Sequence, residues 1–189
     1  MWRSALFLLL ASLAGAAEIE GRWRPVATSK GGIGAVLDFR AKGVLWVRTG
    51  AVVESVYAVE GNELVQPGPK VGSGPVRLVI DLREAGVLRL WQGQTMAMEL
   101  RRVGEGGEGI VGEWVMDREM AGQKLKMQMI YRADGKSLLV MPFRSDRGTW
   151  RVNGENIAVT LPSGKRLVGA FTLSDGKLVL PEGREYLRF

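Results

Sequence analysis

The feature that most constrains this chain is that its landmarks occur twice. Gly21-Arg22-Trp23 opens a run of short alternating segments, and Gly112-Glu113-Trp114 opens another about ninety residues later. Phe39-Arg40-Ala41-Lys42-Gly43 reads like Tyr131-Arg132-Ala133-Asp134-Gly135, and Tyr57-Ala58-Val59-Glu60-Gly61-Asn62 like Trp150-Arg151-Val152-Asn153-Gly154-Glu155. Glu84 to Leu90 likewise matches Ser174 to Leu180. Each copy closes on a basic segment, Met98-Glu99-Leu100-Arg101-Arg102 in the first and Glu185-Tyr186-Leu187-Arg188-Phe189 in the second. Self-similarity at a fixed period sets the architecture before any single residue is read.

Within each copy the pattern is β. Turn signals recur at Ala41-Lys42-Gly43, Thr49-Gly50, Glu60-Gly61-Asn62, Ala85-Gly86, Gln92-Gly93, Asp134-Gly135, Asn153-Gly154, Ser163-Gly164, Asp175-Gly176 and Glu182-Gly183. Glycine, asparagine and aspartate tolerate the positive φ that tight hairpins require. Leu125, Met127, Met129 and Tyr131 fall on one face of a strand, with Lys124, Lys126 and Gln128 on the other. Val76, Leu78, Ile80 and Leu82 form a second apolar face, and Met96, Met98 and Leu100 a third. No window of helical period is long enough for a helix; Asp117 to Ala121 could form one turn at most. Many short strands at regular spacing predict an all-β protein of two tandem small antiparallel barrels. The alternative is one larger barrel or sandwich built from two homologous halves.

The expected organisation is a signal peptide over 1–17, a first barrel over 18–103, a linker over 104–109 and a second barrel over 110–189. Met1-Trp2-Arg3-Ser4 precedes the apolar run Ala5 to Ala14, and Ala14-Gly15-Ala16 suits a signal peptidase. The run is too short to span a bilayer, which needs about 20 apolar residues. A secreted or periplasmic protein with no lipid anchor and no stable membrane insertion after cleavage is therefore expected. Gly104-Glu105-Gly106-Gly107-Glu108-Gly109 has no apolar side chain and predicts a flexible, solvated connection. The Pro/Gly-rich stretch Gln66 to Pro75 reads as a long loop inside the first copy.

A Gly-x-Trp on the first strand, an aromatic-x-x-x-Gly hairpin, an aromatic-x-Val-x-Gly hairpin and a basic residue on the last strand resemble the compact bacterial lipocalin-like domains of the calycin group. That resemblance implies a tryptophan packed beneath a basic side chain of the last strand, closing one end of the barrel. Carried over by position, Trp23 would meet Arg101 or Arg102, and Trp114 would meet Arg188. A guanidinium over an indole face is favourable by about 0.5 to 2 kcal/mol.

Composition narrows the chemistry by exclusion. Without cysteine there is no disulfide, thiolate nucleophile or thiolate metal site; without histidine there is no imidazole base and no ordinary zinc or copper site. The formal net charge of +6 is spread evenly, with 12 basic and 9 acidic side chains from Glu18 to Val103 and 13 and 11 from Gly104 onward. No Lys/Arg patch marks a nucleic-acid surface. The glycine turns lack a phosphate-loop context.

What remains is a choice of lining and carboxylates. Met96, Met98, Met116, Met120, Met127, Met129 and Met141 suit either core gaps or an adaptable apolar pocket. A paired-carboxylate hydrolase would need two acids singled out together. Asp134 and Asp175 belong to turns, Asp38 faces outward, and Glu113 and Glu185 flank inward aromatics. Asp117, Glu119 and Asp146 could meet a hard cation, but no calcium-loop spacing is present. Trp46, Trp91 and Trp150 suit partial burial better than sugar stacking. No catalytic, cofactor-binding or metal residue is assigned, and the ligand-binding residues stay open. The function expected is a non-catalytic module that binds an apolar or amphipathic small molecule or an envelope component. A structural or protein-interaction module with filled barrels is the alternative, and a carboxylate-dependent hydrolase the third reading.

Overall fold

The computed structural model describes residues 18–68, 72–105, 107–120 and 122–189, leaving the side chains of Met120 and Gln123 aside. The signal peptide expected over 1–17 lies outside the described residues. The chain is all-β and antiparallel, with its sheet not closed into a barrel. In chain order the strands are β1 (Gly21–Pro25), β2 (Ile33–Arg40), β3 (Val44–Val56), β4 (Ala58–Glu60), β5 (Glu63–Gln66), β6 (Val76–Asp81), β7 (Val87–Gln92) and β8 (Thr95–Val103). They continue with β9 (Gly112–Met120), β10 (Gln123–Tyr131), β11 (Lys136–Asn153), β12 (Asn156–Thr160), β13 (Arg166–Ala170), β14 (Thr172–Ser174), β15 (Lys177–Leu180) and β16 (Arg184–Arg188). Among the described residues no helix is long and apolar enough to cross a membrane.

Two compact units emerge, and their division falls at Val52/Val53 and Pro142/Phe143 rather than at the 104–109 linker. Unit 1 combines the N-terminal segment up to Val52 with Phe143–Phe189. Its neighbouring strands run β14-β15-β16-β1-β2-β3, and the last part of β11 carries β12 and then β13. Unit 2 is the continuous segment Val53–Pro142, ordered β4-β5-β6-β7-β8-β9-β10 and ending on the first part of β11. Long β3 and β11 cause this division, because each runs through the point where it occurs. Thr49-Gly50, expected to be a turn, lies inside β3, where Gly50 pairs with Gly34. The other nine turn signals fall between strands.

Each unit has its own core. Unit 1 buries Ile19, Trp23, Leu37, Phe39, Leu45, Trp150, Ile157, Val159, Leu178 and Leu180 among others. Phe39 meets Trp150 edge to face, and the Trp150 indole N–H donates to the carbonyls of Arg40 and Val44. Unit 2 buries Leu64, Leu78, Leu88, Leu90, Leu100, Ile110, Trp114, Met127, Met129 and Tyr131. The apolar face expected on β10 is the observed one, with Met127, Met129 and Tyr131 buried. Gln128, expected to be solvated, is buried as well, and its amide donates to Glu113.

Candidate functional site: closed ends and open clefts

The two tryptophans have closely matching surroundings in the two units. Trp23 and Trp114 are fully buried, and each indole N–H donates over 2.7 Å to a carbonyl four residues earlier, Ile19 and Ile110. The expected indole–guanidinium contact is present in both units with its partners exchanged. Arg188 lies over Trp23 at 4.5 Å from the ring centre, and Arg102 over Trp114 at 4.1 Å. Trp23 therefore does not meet Arg101 or Arg102, and Trp114 does not meet Arg188. Strand pairing gives the reason: β16 pairs with β1 so that Arg188 stands opposite Trp23, while β8 pairs with β9 so that Arg102 stands opposite Trp114.

Each guanidinium also clasps the chain just before its tryptophan. Arg188 donates to the carbonyls of Glu18 and Glu20, and Arg102 to those of Gly109 and Val111 at 2.7 and 2.8 Å. The segment expected to be a free linker thus supplies, through Gly109, part of the unit 2 closure. Gly21 and Gly112 permit the approach. Their φ values of +126° and +135° disfavour a side chain, and a Cβ on Gly112 would stand 2.6 Å from the Arg102 guanidinium.

Beyond these closures the same strand pairs diverge. The β8–β9 ladder covers Arg101↔Val115, Arg102↔Trp114 and Val103↔Glu113, whereas β9 and β10 pair along their whole lengths. Where β8 and β9 separate, a cleft of about 530 Å³ opens between Met96–Glu99 with Arg101 and Val115–Asp117, with Lys126 beside it. Unit 1 has a cleft in the matching place, between the end of β1 and the start of β16. It measures about 460 Å³ and is lined by Pro25–Ala27, Gly34, Ala35 and Gly183–Tyr186.

The linings differ in chemistry. In unit 2, Met98 and Met116 pack against the core while Met96 is 46% exposed at the mouth. By strand alternation Glu99, Arg101, Asp117 and Lys126 stand on the other side of their strands, giving an apolar wall with a charged rim. Glu99 is held by Arg89 at 2.8 Å. Counting along the strands from each tryptophan and its partner, Met116 corresponds to Pro25, Met98 to Arg184, Met96 to Glu182 and Met127 to Ala35.

The remaining candidates disperse. Asp134 accepts from the Lys136 amide in its turn, and Asp175 adopts a positive φ of 49° in another. Asp38 alternates away from the core with Leu37 and Phe39 on either side, yet it is buried under Arg40 and Arg48, which donate to it at 2.8 and 3.3 Å. Asp146 pairs with Arg144 and Glu185 with Lys177. Among the described residues no group of three acidic side chains is placed to hold a metal ion. Trp46 and Trp91 are half-buried and Trp150 is buried. The unit 2 cleft had only an indirect sequence signal, the clustering of methionines, and the unit 1 cleft had none, because strand divergence leaves no mark on local pattern. No protein-family model matches this chain, and neither a curated protein nor a solved structure shows similarity to it.

Proposed function

We propose that the chain is a secreted or periplasmic, non-catalytic protein of two related lipocalin-like units, and that unit 2 binds an elongated amphipathic small molecule in the cleft between β8 and β9. One observation carries this reading: an opening of about 530 Å³ whose inner wall is thioether and whose rim is charged. Ligand sites fall in the range of about 300 to 1,000 Å³, and this lining is divided about equally between apolar and charged groups, as an amphipathic ligand requires. An alkyl chain would lie against Met98 and Met116, and a polar head would remain at the rim near Arg101 and Lys126. Methionine suits the task, because its unbranched side chain adapts to different apolar shapes.

Titration of the full chain with a fluorescent fatty-acid analogue tests the proposal. Saturable binding should be weakened by Met116→Lys, which places a charge in the inner wall, and unaffected by Val26→Lys at the matching place in unit 1. Equal losses from both substitutions, or no saturable binding, would leave the scaffold reading.

A further inference from the structure

The outer face of unit 1 gathers two arginines on one carboxylate. Leu37 and Phe39 of β2 and Leu45 and Val47 of β3 belong to the core, so alternation turns Asp38, Arg40 and Arg48 to the other face together. Arg48 stands opposite Val36 in the β2–β3 ladder, diagonal to Asp38 and within reach of it for a long side chain. The two guanidinium groups meet on a single oxygen. Arg40 donates to Asp38 Oδ2 from Nε and Nη2 at 3.1 and 2.8 Å, and Arg48 from Nη2 at 3.3 Å. The carboxylate is sunk and the cations are not: the side chain of Asp38 is 8% exposed, against 54% for Arg40 and 27% for Arg48. Among the described residues neither arginine pairs with any other carboxylate.

We propose that Arg40 and Arg48 form a binding site for a phosphomonoester, with Asp38 as the brace that holds both guanidinium groups in place. A guanidinium carries five N–H donors. Asp38 takes two from Arg40 and one from Arg48, so three and four respectively have no protein partner among the described residues. One carboxylate balances only one of the two cations, which leaves a surplus positive charge beside those donors. The shared oxygen also fixes the spacing. The two Nη2 atoms lie at most about 6 Å apart, and a phosphate accepting hydrogen bonds of about 2.8 Å on two of its oxygens bridges that gap. A phosphomonoester matches the charge as well, since at neutral pH it approaches two negative charges and presents three strong acceptor oxygens. Ordering two long side chains in advance lowers the entropy lost when the ligand binds. The site consists of unit 1 residues only, so it stands or falls independently of the amphiphile cleft of unit 2.

The test is calorimetric titration of the full chain with glycerol 2-phosphate, with NMR of the arginine Nε–H groups as the local reading. One phosphate ester should bind per chain and shift the Nε–H signals of Arg40 and Arg48, leaving that of Arg83 in place. Affinity should fall as pH drops through about 6, where the ester takes up a proton and loses one of its two charges. Methyl sulfate, with a single charge at every pH, should bind about tenfold more weakly or less. Arg48→Gln leaves Asp38 paired with Arg40, so the carboxylate stays satisfied, and it should weaken phosphate binding about tenfold or more. Arg83→Gln removes the same charge from the Arg83–Asp81 pair of unit 2 and should leave the affinity unchanged. The site is overturned by an absence of saturable binding, by equal losses from Arg48→Gln and Arg83→Gln, or by methyl sulfate binding as tightly as the phosphate ester. Should Arg48→Gln unfold, the unaltered chain decides the matter: Nε–H shifts confined to arginines other than Arg40 and Arg48 refute the proposal.

Discussion

Which arginine belongs to which tryptophan is open to a direct energetic test. Trp23 is fully buried, so Trp23→Ala should cost unit 1 about 3 to 5 kcal/mol through lost transfer energy and the cavity left behind. Arg188→Met keeps most of the aliphatic stem and removes the charge. Its hydrogen bonds to the Glu18 and Glu20 carbonyls are exposed, so water replaces them and their loss contributes little. The coupling in a Trp23→Leu, Arg188→Met cycle therefore isolates chiefly the indole–guanidinium contact, about 0.5 to 2 kcal/mol. Trp114→Leu with Arg102→Met should give a similar value, the shorter 4.1 Å approach placing it at the upper end. The crossed cycles, Trp23 with Arg102 and Trp114 with Arg188, should be additive within about 0.5 kcal/mol. Denaturant unfolding of the full chain, followed by calorimetry, supplies the four free energies of each cycle. Coupling in the crossed pairs, with none in Trp23–Arg188 and Trp114–Arg102, would refute the assignment of strands to units.

Three further outcomes follow from the same architecture. The segment Val53–Pro142, which is continuous and contains its own core and Trp114–Arg102 closure, should unfold cooperatively on its own, whereas 18–103 should not; circular dichroism melts of both fragments check this. Gly112→Ala should destabilise unit 2, because φ of +135° is strained for alanine and its Cβ would displace Arg102; a thermal shift at least as large as that of Arg102→Met is expected. All three tyrosines, Tyr57, Tyr131 and Tyr186, have phenol groups held above the ordinary value near 10, chiefly by burial. Since the unfolded chain ionises first, their contribution to stability is complete below about pH 10 and is lost as pH rises above it. Tyr131→Phe should flatten that alkaline decline, and ultraviolet titration should show phenolate appearing later in the folded chain than in urea.

Much of this arrangement could be read from local pattern, because turn glycines and strand alternation are local properties. Met127-x-Met129-x-Tyr131 faces the core because a strand has period two, and Asp134-Gly135 or Asn153-Gly154 turns because those residues accept positive φ. The Trp–Arg closure was legible as a type of contact, but its partners were not. A Gly-x-Trp and a late basic segment each occur at two places in the chain, so either pairing satisfies the sequence equally. Connectivity decides between them: β11 runs 18 residues without a turn, and β3 passes straight through Thr49-Gly50. A continuous strand at each point carries the chain from one unit into the other. Local residues misled here as well, since Pro142 and Ser145-Asp146-Arg147-Gly148 lie inside the continuous β11. Burial of Asp38 and Gln128 escaped the pattern for a different reason, since long neighbouring side chains covered them from the outer side.

Hydrogen exchange of the full chain with and without the fatty-acid analogue tests the central claim most directly, because it reads every strand at once without a substitution. A ligand seated between the diverging strands should slow exchange of amides in Thr95–Leu100 and Val115–Glu119, with little change at the matching unit 1 cleft around Val26 and Glu185. Protection confined to other strands, or equal protection at both clefts, would contradict the assignment of binding to the methionine-lined opening of unit 2.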